Sequence, residues 1–328
     1  MDRPPPAEAP VVSVVIVSWN AWADLEACLA SLAAQTDRAF ETVVVDNGSQ
    51  DGSASRVREL YPDVRLIEID QNVGFAEGCN RGIAASRGCW IATLNNDAIA
   101  DPRWIEALRR SIDGASPALG IVQSRILKLD CPDVLASTGV LLRRDGCFDD
   151  RDAGLPVRMG STGAVFSVCA AAALYRRAML EAVRLSTGIF DRGYFAYFED
   201  VDLGWRARLA GWEAAYCAEA TVFHAERASA RRHAPGFVVR QCRRNRVRTL
   251  AKNASPTFLL RALPRLLRDA AGEVGDGRGE LAAWLQAAWD GFGQRVEVTR
   301  CARLPRRAIE RRWIDAGERF TPMGRRGP

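Results

Sequence analysis

The sequence predicts an α/β fold: a mixed, mainly parallel sheet flanked by helices, followed by a basic helical extension. Three observations carry this. Short apolar, β-branched runs alternate with helix-patterned stretches four times in the first third of the chain. Three of those runs end in polar clusters, which puts the clusters on one edge of the sheet, where parallel α/β folds bind ligands. The charge is split: residues 226–328 carry 23 basic and 10 acidic side chains, residues 1–225 carry 22 and 30, so a net +5 hides regions of +13 and −8.

The first run, 11–17 (VVSVVIV), reads as a buried parallel strand and ends in Ser18, Trp19 and Asn20. Residues 24–32 have helical spacing, with Leu25, Leu29 and Leu32 on one stripe. A strand at 42–45 ends in Asp46, Asn47, Gly48 and Ser49, and a helix follows at 53–60. Residues 64–69 form a third strand and 75–86 a helix. Residues 89–94 form a fourth strand ending in Asn95, Asn96 and Asp97, and a helix opens at Pro102. Beyond 115 the alternation loosens. Residues 127–129 and 134–142 are expected as antiparallel strands or a hairpin, and 145–156 as a mobile Asp/Gly-rich loop. The uncharged stretch 159–175 is shorter than the ~20 apolar residues of a spanning helix and reads as a buried strand running into a helix. Residues 200–210 form a helix stopped by Gly211, followed by short strands at 213–216 and 221–223. From Pro235 the pattern is helical, broken at Pro256 and Pro264, with a flexible connection at 272–279. The expected organisation is a lead at 1–10, without the apolar core of a signal peptide, a catalytic domain at 11–230 and a basic helical region at 231–328.

Composition excludes several classes. A chain with 48% hydrophobic and 26% charged residues is globular, not disordered or collagen-like. Nine cysteines without a CxxC pair suit reduced thiols in the cytoplasm, not a disulfide framework or a zinc site. Gly74, Gly78 and Gly82 are four apart and do not make a dinucleotide fingerprint, and no phosphate-binding GxxxxGK[ST] loop is present.

Three constellations carry chemistry. Asn95-Asn96-Asp97 suits either a divalent cation that grips a diphosphate or an Asx turn before a helix. Glu199, Asp200 and Asp202 open a helix among aromatics. The helix dipole favours acids there, and a desolvated carboxylate can also act as a base. Asp202 can pair with Arg206 one turn on, whereas Asp200 points about 200° away from Asp202. His224 ends a strand and is either structural or, if Asp97 lies across the same pocket, a metal ligand.

Taken in order, VSVVIVSWN (12–20), VVVDNGSQDGS (43–53), NVGFAEGCNRG (72–82), LNNDAIADP (94–102), FDRGYFAYFEDVDLGWRARLAGW (190–212) and ATVFHAERAS (220–229) resemble the family 2 glycosyltransferases of the GT-A fold, in the rhamnosyltransferase-like branch. The resemblance implies an inverting, metal-dependent transfer from a nucleotide diphosphate sugar to a glycan or lipid-linked acceptor. It implies that Asp46 contacts the nucleotide base, and that Ser18, Asn20, Asn72, Gly74, Phe75, Asn80, Asn95 and Asn96 shape the donor site. Asp97 and His224 would hold Mn²⁺ or Mg²⁺, and Asp200, beside Glu199, would be the catalytic base. The tail after the histidine departs from the family pattern at Arg227. Two other classes compete. A nucleotidyltransferase needs a basic loop near the first strand, and Ser18–Asn20 has none. A nucleic-acid binder would use the Arg-rich run 241–253; docking of the basic helices on an anionic membrane surface is favoured over it, so no nucleic acid is expected, and helices that only pack on the catalytic domain with a solvated Arg face stand level with docking. The expected location is cytoplasmic, peripheral on the inner face of the membrane.

Overall fold

A computed structural model describes residues 11–157, 163–225, 236–276 and 278–319. The expected lead at 1–10, Arg227 and the expected boundary near 230 lie outside these residues.

Strand β1 (Val12–Ser18) is buried throughout. Its side chains alternate between two cores, as the period of two requires. Val12, Val14 and Ile16 pack with α1 (Trp22–Ala33) and α4 (Trp104–Ile112), and Val15 and Val17 with α3 (Phe75–Ala85), α5 (Arg177–Ala182) and α6 (Glu199–Leu209). β1 lies parallel to β2 (Phe40–Asn47) on one side and to β4 (Trp90–Leu94) on the other, and β3 (Arg65–Ile69) continues the parallel half beyond β2. The helix α2 (Ser53–Leu60) links β2 to β3. In the other half β11 (Ala172–Arg176) inserts antiparallel between β4 and β6 (Leu119–Lys128). β12 (Glu213–His224) runs parallel to β6, and β10 (Gly163–Ala164) closes that edge. Short β5 (Ala98–Ala100) pairs with the end of β12, and β7 (Leu135–Ser137) with β6. The two longest ladders, β1–β2 and β6–β12, are both parallel. β8 (Val140–Leu142) and β9 (Phe148–Asp150) form a separate hairpin.

Several expectations are corrected. The helix expected at Pro102 starts at Trp104, because Asp101 caps a turn first: its Oδ1 accepts from Arg103 N at 2.9 Å and its carbonyl from Trp104 N. The strand expected at 127–129 is the end of β6, a ten-residue strand, and it pairs antiparallel with β7 as expected. The run 134–142 divides at Gly139, whose φ of +134° no β-branched residue adopts, into β7 and β8. The loop expected at 145–156 contains β9. The two strands expected at 213–216 and 221–223 are one strand with a register shift between Cys217 and Thr221. Of the stretch 159–175, residues 172–176 are the strand that runs into α5, while 159–162 lie outside the described residues.

Four helices follow: α7 (Phe237–Asn253), α8 (Pro256–Asp276), α9 (Arg278–Cys301) and α10 (Arg306–Arg319). Pro256 opens α8, the position that tolerates a missing N–H, but Pro264 lies inside it and does not break it. Residues 272–276 and 278–279 are helical rather than a loose connection. These helices share a core with α6 and the hairpin, through Val140, Leu142, Trp205, Leu250, Phe258 and Trp313.

The bases of α7 turn inward. Lys252 is fully buried, with Nζ 2.5 Å from Asp191 and 3.2 Å from Asp202. Arg248 pairs with Asp191 at 3.0 Å and Asp290 at 2.9 Å, and Arg206 with Asp202 at 2.9 Å. Burial alone would raise the carboxyl of Asp191; Lys252 and Arg248 outweigh it and hold that group below its ordinary range. Asp202 behaves likewise beside Lys252 and Arg206. Asp202 and Arg206 therefore pair as expected, but in the interior. The run 241–253, the basis of the nucleic-acid alternative, presents Arg246, Arg248 and Lys252 to the protein rather than to solvent.

Candidate active site

A cavity of about 370 Å³ opens beyond the carboxyl ends of the parallel strands. Ser18 reaches it from the end of β1, Asn47 from β2, Asn95 and Asn96 from the turn after β4, and His224 from the end of β12. Asn72, Gly74 and Phe75 line it from the start of α3, and Glu199 and Asp200 from the start of α6. Nine of the thirteen residues given a role from sequence thus converge, together with Asn47, from segments up to 206 positions apart. Asn20, Asp46, Asn80 and Asp97 do not line it.

These four have other placements. Asn20 joins two loops: its N–H donates to Ser49 Oγ at 3.0 Å and its Oδ1 accepts from Gln50 N at 2.7 Å. Asp46 accepts from Ser49 N through Oδ1, while its buried Oδ2 has no partner among the described residues. Asn80 is a strut between α3 and the loop before α6, donating to the Phe190 carbonyl at 2.8 Å and accepting from Phe190 N at 3.0 Å. Asp97 sits behind the wall, 3% exposed, with Oδ1 3.0 Å from His224 Nε2.

The wall is cross-braced. Asn96 Nδ2 donates to Ser18 Oγ at 3.1 Å. Asn47 Nδ2 donates to Asn72 Oδ1 at 2.9 Å, and the same oxygen accepts from Gly74 N at 2.9 Å. Gly74 has φ +87°, and a Cβ there would lie 2.5 Å from the Phe195 carbonyl oxygen, so the close approach of two loops requires glycine.

Phe195, Tyr197 and Phe198 have φ of +63°, +70° and +71°. Left-handed backbone at bulky residues costs on the order of 1–3 kcal/mol each and persists only where neighbours impose it. This strained turn leads directly into Glu199 and Asp200. Asp200 Oδ2 accepts from Ala170 N at 2.8 Å and Oδ1 from Val201 N at 2.7 Å. Burial raises the Asp200 carboxyl despite those amides. Glu199 is raised well above the ordinary range by burial and then by the charge of Asp200, and its Oε2 has no partner among the described residues. Desolvated carboxyls at a cavity wall are suited to moving a proton near neutral pH.

Asp97 and His224, hydrogen-bonded to each other here, carry donors of the kind a divalent cation takes. Two neighbouring ligands about 2.1 Å from an octahedral ion stand about 3 Å apart, the spacing of this pair. Carboxylate oxygen and imidazole nitrogen are donors that Mn²⁺ accepts, and the carboxylate is a hard donor suited to Mg²⁺. Among the described residues no group of three or more His, Cys, Asp or Glu could hold a metal, so the remaining positions would fall to phosphate oxygens and water.

Residues 13–184 match the family model of Glycosyl transferase family 2. The chain belongs to that family. It is 31% identical over 242 residues to the N-acetylglucosaminyl-diphospho-decaprenol L-rhamnosyltransferase of Mycobacterium tuberculosis, covering 65% of this chain and 76% of the relative. It is 33% identical over 131 residues to the succinoglycan biosynthesis protein ExoO of Rhizobium meliloti, covering 40% and 38%. Among solved structures, GalNAc-T7 with UDP, GalNAc and Mn²⁺ superposes with a TM-score of 0.61 at 14% identity over 76% of this chain, which spans about half, 49%, of that protein. S. aureus TarS residues 1–349 superpose with a TM-score of 0.55 at 15% identity, over 94% of this chain and 90% of that one. The protein is a glycosyltransferase with the GT-A fold.

Sequence reading missed several lining residues of this glycosyltransferase. Phe148, Asp149 and Asp150 come from β9, hidden in an apparent loop, and Cys242 comes from α7, beyond the recognised motifs. Asn47 sat within the expected cluster at the end of β2 but was not singled out. Its amide is the hub of the Asn72 contacts, and its position at a parallel strand end was the available signal.

Proposed function

We propose that the enzyme moves a sugar, rhamnose among the candidates, from a nucleoside diphosphate sugar to a hydroxyl of a cell-surface glycan or its lipid-linked precursor, with inversion at the anomeric carbon. The observation that carries this is one cavity joining the desolvated Asp200 carboxyl to the His224 ring that faces Asp97. The M. tuberculosis relative, by its name, acts on a diphospho-decaprenol acceptor, which supports the lipid-linked reading.

Ser18, Asn72, Gly74, Phe75 and Asn96 line the donor side; Asp46, buried behind that wall with no partner for Oδ2 among the described residues, would be the contact to the nucleotide base. Mn²⁺ or Mg²⁺ held by Asp97 and His224 would offset charge building on the departing diphosphate. Asp200 accepts the proton of the acceptor hydroxyl as its oxygen attacks the anomeric carbon. Burial and then the charge of Asp200 raise the Glu199 carboxyl, which disfavours a second negative charge beside the base. A single displacement needs no covalent nucleophile, and inversion follows.

Membrane contact belongs to the same proposal. No helix among the described residues is long and apolar enough to cross a membrane. On α8, Leu260, Leu263 and Leu267 are exposed at helical spacing beside exposed Arg261 and Arg268; on α9, Leu285, Trp289, Phe292 and Val296 repeat the pattern. The α8 stripe, flanked by arginine, suits the interface of an anionic bilayer, and the α9 stripe adds exposed apolar surface without arginine along it.

The test presents a lipid-linked acceptor in anionic vesicles and follows labelled sugar from a panel of nucleotide diphosphate sugars. Transfer from one donor, dependent on Mn²⁺ or Mg²⁺ and lost with EDTA, is expected, with the protein sedimenting with the vesicles. Metal-independent transfer would contradict the metal role, and protein left in the supernatant would contradict membrane contact.

A further inference from the structure

The turn before the acid pair is held from the C-terminal region rather than from the sheet. Asn245, on α7, is fully buried. Its Nδ2 lies 3.0 Å from the Tyr194 carbonyl, 2.8 Å from that of Ala196 and 2.7 Å from that of Tyr197. One amide thus faces three carbonyls in four residues. The flipped amide would set Oδ1 against three oxygens, so the donor orientation is fixed. Gln241, one turn earlier on α7, donates to the Tyr194 carbonyl at 2.6 Å.

These contacts coincide with the strain. Ala196 N donates to the Tyr194 carbonyl at 2.8 Å, closing a γ-turn around Phe195, whose φ of 63° and ψ of −66° are its rare, strained form. Tyr197 and Phe198 continue in the left-handed region. Phe198 then precedes α6, whose first two residues are Glu199 and Asp200. The same turn meets the donor side, where the Phe195 carbonyl accepts from Ala76 N at 3.1 Å at the start of α3. Backbone of this kind relaxes when its carbonyls are released, and the carboxyls attached to it move.

We propose that Asn245 is a positioning residue for sugar transfer: its amide holds the 194–198 turn and so sets where the Glu199–Asp200 carboxyls stand in the cavity. The inference rests on the glycosyltransferase reading of that cavity. It also gives the C-terminal region a part in the reaction that does not depend on a membrane.

The test compares full-length wild type with Asn245→Ala, and both again in a Tyr197→Gly background. Asn245→Ala is expected to lower kcat by about 10–100-fold, as a carboxyl out of place by an ångström does, with donor KM within about threefold. Glycine adopts the φ of +70° unaided, so the loss should shrink when Tyr197 is Gly. Hydrogen exchange across 194–203, which needs no substrate, should quicken in Asn245→Ala. Wild-type kcat in Asn245→Ala, or an equal loss in both backgrounds, overturns the proposal. Should Asn245→Ala not fold, Asn245→Gln, which keeps the amide but displaces it, is held to the same criteria. Faster exchange in a protein whose wild type transfers no sugar would leave the clamp standing and remove the function reading instead.

Discussion

Asp200→Asn is expected to lower the rate of sugar transfer by about 10²–10⁴-fold, the range for loss of a positioned general base. Asn keeps the size and one acceptor oxygen of the side chain but turns its NH2 toward one of the two backbone N–H groups that the carboxylate accepts from, so a modest fall in Tm is expected while donor KM changes little. The loss belongs in kcat, because the proton moves only in the transition state. The wild-type pH profile gives a linked expectation. Burial raises Asp200, and Glu199 more so, and a base with a raised pKa is protonated and inactive below it. The acidic limb of kcat should therefore lie above the ordinary carboxylate value of about 4, with apparent constants that belong to the pair. Measuring kcat against pH for both proteins checks this. A variant that transfers sugar at the wild-type rate removes Asp200 from the mechanism.

Lys252→Met should be the most damaging single change to stability. Lys252 lies between Asp191 and Asp202, fully buried, with its ammonium 4.8 Å from the centre of the Tyr194 ring. Met fills the space of the stem but leaves the two carboxylates with one cation fewer. Breaking a buried pair on one side costs about 3–5 kcal/mol, which is roughly 6–10 °C in Tm for a chain of this size. In the wild type both carboxyls are held low, so the cluster's stabilisation is complete above their unfolded value of about 4 and is lost as the pH falls through the folded values. The deficit of the variant should accordingly narrow in acid. Thermal melts at neutral pH and near pH 3 measure both effects, and an unchanged Tm at neutral pH would show that the cluster is not stabilising.

Local pattern made half of this molecule legible. The helix at 53–60 and the run of β1 follow from apolar spacing and turn residues, because both faces of β1 are buried and make it apolar throughout. The polar strand ends could be placed together because a parallel sheet puts them on one edge. What stayed hidden is what distant segments impose. β9 was hidden for another reason: three residues are too few to show an alternation of their own, although its partner β8 is the adjacent arm of the hairpin. Pro264 reads as a breaker, yet packing carries α8 through it. The bases of 241–253 looked like a binding surface because composition does not say which way a helix faces; Asp191, Asp202, Asp269 and Asp290 turn Arg246, Arg248 and Lys252 inward. The strained turn at 195–198 has no local signature at all, since aromatic residues do not ordinarily adopt its backbone.

The central claim is that the cavity takes a nucleoside diphosphate through a cation held by Asp97 and His224. Titrating a nucleoside diphosphate into wild type and Asp97→Ala, each with Mn²⁺ and with EDTA, tests it most directly. Binding by the wild type that weakens at least about tenfold in EDTA, and equally in Asp97→Ala with Mn²⁺ present, is the predicted result. Equal affinity in all four titrations would contradict it.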